Sequence, residues 1–139
     1  MKTLKLVFVI IASAVVMTGV GVLPQRLCFE GGSGYTFYCG TSSQDCKVVK
    51  ADKSPKTAKI FLKNVCGESC EYQNLDIESF LKQYDGEILF KEELSDSVNY
   101  YCRADLPYFV ELRGERINLH ICVRDDTAIV ASPIIFGGY

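Results

Sequence analysis

The amino-acid sequence predicts a β-rich α+β fold, a small antiparallel sheet domain stapled by disulfides and carrying one helix. Three features carry that expectation. Seven cysteines follow an apolar leader. One ten-residue stretch repeats its apolar residues with helical period, and the second half of the chain alternates apolar and polar residues in short runs bounded by turn residues.

The leader comes first. Lys2 and Lys5 precede a run from Leu6 to Leu23 that contains no charged residue. A basic n-region ahead of an apolar h-region is the layout of a secretory signal, and the positive charges hold the first end on the cytoplasmic side. Small residues at Ala12-Ser13-Ala14 and at Gly19-Val20-Gly21 offer cleavage sites. Residues 1–21 therefore read as a signal peptide and 22–139 as one extracytoplasmic domain. The alternative is an uncleaved anchor, because an apolar run of this length reaches the lower limit for spanning a bilayer.

Beyond the leader the balance is acidic, with 13 basic residues against 17 acidic ones. That excludes a general phosphate-backbone binder, which needs a basic face. No long run of like charge marks a tail or a polybasic patch. Cys28, Cys39, Cys46, Cys66, Cys70, Cys102 and Cys122 all lie in the exported part. In an oxidising compartment such density reads as a disulfide framework. The count is odd, so one thiol stays free or bonds to a second chain, which would give a disulfide-linked homodimer.

Taken in order, Tyr35–Cys39 and Cys46–Lys50 are short β-like runs around a Gly-rich turn, and Ala58 to Leu62 alternates as a strand would. In Leu75–Tyr84, the apolar residues Ile77, Phe80, Leu81 and Tyr84 form one helical stripe. Glu78 and Lys82 form an i,i+4 pair on the outside. Asn74 or Asp76 can cap its start, and Asp85-Gly86 ends it. Glu87–Glu92 and Ser97–Cys102 follow as strands. A hairpin then turns at Gly114-Glu115, with Leu112 opposite Ile117, Val110 opposite Leu119 and Tyr108 opposite Ile121. After a turn at Asp125-Asp126, Thr127–Ala131 and Ile134–Phe136 make a last strand bent at Pro133.

Several groupings could carry chemistry. Cys66-Gly67-Glu68-Ser69-Cys70 could be a redox dithiol or half a metal site. A redox motif has two intervening residues rather than three. A zinc site needs further ligands, and His120 is the sole histidine. The pentapeptide resembles the first inter-cysteine loop of cyclotides, small knotted plant peptides, and the match stops there. His120 could serve as a general base, but Cys122 stands two strand positions away, too far for direct contact. Glu92, Glu93, Asp96, Asp125 and Asp126 show no calcium-loop spacing and read as solvated surface. No metal or cofactor is expected.

Asp96-Ser97-Val98-Asn99-Tyr100-Tyr101-Cys102 resembles the strand-F signature of immunoglobulin domains, in which a Tyr precedes the inter-sheet cysteine by two places. The resemblance implies an immunoglobulin-like β-sandwich as the alternative fold, with Cys102 bridged to Cys28 or Cys39. The chain contains no tryptophan.

Together these readings favour a secreted or surface-displayed interaction domain without catalysis, binding a protein partner outside the cell. No nucleic acid is implied, and no membrane once the leader is cleaved. Tyr35, Phe37 and Tyr38 beside the Gly-rich turn are the candidate partner-binding residues, because such rings offer large contact area at low entropy cost. The alternative is a small extracytoplasmic thiol or redox enzyme using Cys66 and Cys70, or a free cysteine.

Overall fold

The structure is a computed structural model that describes residues 26–41 and 45–136. The leader and its cleavage sites lie outside the described residues. Among those described, no helix is long and apolar enough to cross a membrane.

Among the described residues, nine strands and two short helices make the fold. They run β1 (Ser33–Cys39), β2 (Lys47–Ala51), α1 (Pro55–Phe61), β3 (Val65–Gln73), α2 (Ile77–Gln83), β4 (Glu87–Glu93), β5 (Val98–Arg103), β6 (Val110–Leu112), β7 (Glu115–Ile117), β8 (Leu119–Arg124) and β9 (Thr127–Ser132). Seven strands form one sheet in the order β2-β1-β3-β9-β8-β5-β4, and β6-β7 is a separate ribbon. Every pairing is antiparallel. The β-rich α+β class is therefore the observed one.

Residues directly opposed across strands share a face. One face carries Val49 and Phe37, then Cys70, Val130, Ile121 and Tyr100 in register. Phe29 and Phe80 of α2 pack with these residues into a single core. The other face carries Thr36, Ser69, Ala131, His120 and Tyr101 in register. The segment after β9 folds onto that second face, where the Phe136 ring meets Tyr38 at 5.0 Å.

The expected helix forms as α2. Asp76 is its cap, accepting from the Ser79 N–H and Oγ. Asp85 takes a positive φ and the Gly86 N–H returns to the Leu81 carbonyl at 2.7 Å, which ends it. Of residues 58–62, expected as a strand, 58–61 are instead helical in α1 and Leu62 is its extended C-cap. Pro55 occupies the first turn, where its missing N–H costs nothing, and Ala58 and Leu62 at i,i+4 supply the apolar contact with the core.

The hairpin forms, but two residues out of the expected register, its turn centred one position earlier. Arg113 and Gly114 both have positive φ, which makes a two-residue I′ turn instead of II′ at Gly114-Glu115. Leu112 therefore faces Glu115, and Val110 faces Ile117. The ribbon also stops at Ile117. Beyond it Asn118 turns the chain, and β8 pairs with β5 and β9 rather than with residues 108–110. Asn118 secures this corner by accepting from the Ala104 N–H and donating to the Ala104 carbonyl. Asn118→Ala would strand both groups in a partly buried place. We expect a loss of about 1–3 kcal/mol in denaturant unfolding.

Two further expectations change. The Cys66–Cys70 stretch is the middle of β3, a central strand. Residues 134–136 do not extend β9, because Pro133 offers no N–H to the ladder. The immunoglobulin alternative is replaced by one broad sheet with its helices and its apolar core on one face.

Candidate interaction surface and thiol groups

All seven cysteines are thiols in this structure, and their positions sort them into groups. Cys66 and Cys70 occupy one strand, four residues apart, which separates their Cα atoms by about 13 Å. A disulfide needs Cα atoms within about 4–7 Å, so these two cannot act on each other as a dithiol. Cys70 instead neighbours Cys28. Glu68 on β3 accepts from the Cys28 and Phe29 N–H groups at 2.7 and 3.1 Å, bringing that segment over the strand. Burial pushes the Cys28 and Cys70 thiols up to about 12.

Cys39, Cys46 and Cys66 form a second group at one end of the sheet. Cys39 is in register with Lys47 and Val65, the immediate neighbours of the other two cysteines. Burial, then the mutual influence of the three, raises the Cys39 and Cys66 thiols. Cys102 lies alone on the core face, and burial holds its thiol up at about 12. Cys122 is buried on the opposite face. A reactive thiol requires a lowered pKa, and each of these shifts runs the other way.

His120 is 3 % exposed. Its Nδ1 accepts the Ile135 N–H at 3.1 Å, and its Nε2 lies 2.8 Å from the Asn99 Oδ1. Nε2 thus carries the proton and both ring nitrogens are engaged. Burial lowers its pKa to about 4, so it is neutral at pH 7. A histidine so held supports the strap at Ile135 and has no nitrogen left to activate Cys122.

Tyr35, Phe37 and Tyr38 are buried. The Tyr35 hydroxyl donates to the Phe29 carbonyl at 2.8 Å, and Phe37 is fully enclosed in the core. Their rings fill the fold and offer little to a partner. β1 has its other neighbours on both edges, so alternation alone could not reveal that both of its faces are covered. Glu92, Glu93, Asp96, Asp125 and Asp126 are exposed as expected, and Asp96 meets Arg124 at 3.1 Å. No group of metal-ligating side chains occurs among the described residues.

Two features went unread in the sequence. The first is a buried ion pair, Lys59 to Glu68 at 2.8 Å, with side chains 1 % and 0 % exposed. The Lys59 Nζ also donates to the Arg26 carbonyl and sits 5.3 Å over the Tyr108 ring. Reading Pro55 as a helix start would have set Lys59 beside Ala58 and Leu62 on the inner side. The second is an arginine–aromatic surface. Arg113 lies 4.9 Å over Phe90, which stacks on Tyr101 at 4.7 Å, which stacks on His120 at 4.5 Å. Nearby in the chain, the Arg116 guanidinium covers Phe109 at 3.7 Å. Phe109 is 55 % exposed.

Known protein families, characterised proteins and solved structures contain no match to this chain. The site must be read from its own chemistry. It holds guanidinium-capped rings at the surface, with five cysteines buried and Cys46 and Cys66 exposed.

Proposed function

We propose that the chain is an exported, disulfide-stapled domain that binds a protein partner outside the cell and performs no catalysis. The observation that carries this is the Phe109–Arg116 pair with the Arg113–Phe90–Tyr101 stack. Arginine and aromatic side chains dominate the energetics of protein interfaces because they bury large area and still satisfy polar contacts. Here they are pre-stacked, which lowers the ordering cost of binding.

The staples follow from the thiol groups. Cys28 bonds to Cys70, and one pair forms within Cys39, Cys46 and Cys66. Each bond joins two sulfurs and releases two protons and two electrons to a disulfide-donor oxidant of the exported compartment. Of that second group, Cys46 and Cys66 are exposed, so its unpaired member is the one suited to an inter-chain bond. The competing reading, a thiol enzyme at Cys66 and Cys70, is opposed by their separation along β3 and by their raised pKa.

The experiments separate the parts. A non-reducing peptide map of the exported protein should join the Cys28 and Cys70 peptides. Cys28→Ser should then lower unfolding stability by about 2–4 kcal/mol. Alkylation of Cys28 in the native exported protein would refute that bridge. For the surface, Phe109→Ala with Arg116→Ala should abolish capture of a specific protein from an extracellular fraction, with an unchanged circular dichroism spectrum. Equal capture by the variant and the original would sink the reading.

A further inference from the structure

The lysines of this acidic protein are concentrated on one segment. Between residues 47 and 63 stand Lys47, Lys50, Lys53, Lys56, Lys59 and Lys63, with Asp52 the only acidic residue. Over the rest of residues 26–136 the chain has seven basic and sixteen acidic residues. The segment is therefore a local positive pole on a negative body. A spacing of three residues between successive lysines hides it from a search for runs.

Helix α1 sorts these charges. Its inner side is Ala58, Lys59 and Leu62, with Lys59 committed to the buried pair. Its outer stripe is Lys56, Thr57, Ile60 and Phe61, flanked by Lys53 and Lys63, all exposed. Phe61 is 79 % exposed and Ile60 44 %. An unsupported phenylalanine ring ringed by lysines is the pattern of a surface helix that dips its apolar side into a headgroup layer while its cations meet lipid phosphates.

Position supplies the second argument. Lys59 holds the Arg26 carbonyl, and Lys56 meets Glu30 at 3.1 Å. The outer stripe therefore lies beside the point where the chain arrives from its leader. Only three residue steps separate Leu23, the end of the apolar run, from Arg26, which spans at most about 11 Å.

We propose that the outer stripe of α1, with Ile60 and Phe61 at its centre and Lys53, Lys56 and Lys63 around them, docks the domain on an anionic phospholipid surface. An acidic protein surface would satisfy the lysines, whereas a headgroup layer takes the cations and the bare ring of one short helix face together. The docking revises the expectation that the cleaved domain has no membrane contact. It does not depend on the arginine–aromatic surface, and the two can fail separately.

The chain has no tryptophan, so Phe61→Trp installs a single reporter at an exposed position. The exported protein carrying it is mixed with vesicles of phosphatidylcholine alone, or of phosphatidylcholine containing phosphatidylglycerol. The expected result is a blue-shifted emission on the anionic vesicles only, reversed by about 0.5 M salt, where the screening length falls to a few ångströms. Adding Lys56→Glu and Lys63→Glu should raise the lipid concentration needed by about tenfold or more. An unshifted emission on anionic vesicles, or the same shift on both lipids, would overturn the proposal. So would a shift produced only by soluble polyglutamate, which would assign the stripe to an acidic protein.

Discussion

Glu68→Ala should be the most damaging single substitution in the domain, at about 3–5 kcal/mol. The carboxylate has three partners and is fully buried: the Lys59 ammonium and the N–H groups of Cys28 and Phe29. Removing it leaves a buried cation without a counter-charge, held only by the Arg26 carbonyl and the Tyr108 ring, and two buried amides without their acceptor. Small domains have net stabilities of about 5–15 kcal/mol, so the loss is a large fraction of the total. Lys59→Met should cost less, because the surviving carboxylate keeps two charge-assisted bonds from backbone amides. The ranking is the test. Denaturant midpoints measured with the cysteines in one oxidation state should place Glu68→Ala well below Lys59→Met. Equal costs would mean the ion pair alone matters and the docking of residues 26–29 contributes nothing.

That same pair explains why the fold was only partly legible. Helix α2 and strands β1, β2, β4 and β5 were readable because their apolar spacing has one period and one buried side. Residues 58–62 were misread because the inner side of α1 includes a lysine. A charged residue that points inward breaks the pattern that would have revealed the helix, and its compensating glutamate lies nine residues on, in a different strand. The β6–β7 register differs from the expected one by two residues, because the turn sits one position earlier. Either turn places glycine at an allowed site, and Arg113 at positive φ is the less expected choice for a non-glycine residue. β3 was hidden for another reason. With Gly67, Glu68, Ser69 and Cys70 all buried, a strand covered on both faces has no alternation to read.

The surface was harder to read than the core. Tyr35, Phe37 and Tyr38 were chosen because they adjoin glycines, yet they belong to the second strand of a broad sheet and are enclosed by it. Phe109, which faces solvent, and the half-buried Phe90 sit among alternating residues that look like ordinary strand. What sets them apart is a guanidinium over each ring, and that contact is made across strands, invisible in the linear order. The lysine pole was closer to legible. Its three-residue spacing was in plain view, but a net charge taken over the whole chain cancelled it.

Acid should weaken the fold through His120. Its pKa in the folded protein is lowered to about 4, against an ordinary value of 6.5, by burial. The unfolded chain therefore takes up a proton at a pH where the folded one does not, so stability is full above about 6.5 and is lost as pH falls through about 4. Across that window the loss is about 3 kcal/mol. The geometry says what fails. A second proton must go on Nδ1, which already faces the Ile135 N–H, so protonation sets two donors against each other and lifts residues 134–136 from the sheet. Tyr101, stacked on the ring at 4.5 Å, and Asn99 at Nε2 are both uncharged and cannot offset the new cation. His120→Gln can still receive the Ile135 N–H but cannot titrate. Unfolding stability measured from pH 7 to pH 4 should fall steeply for the original chain and much less for this variant. Parallel slopes would show that the carboxylates, not this imidazole, set the acid sensitivity.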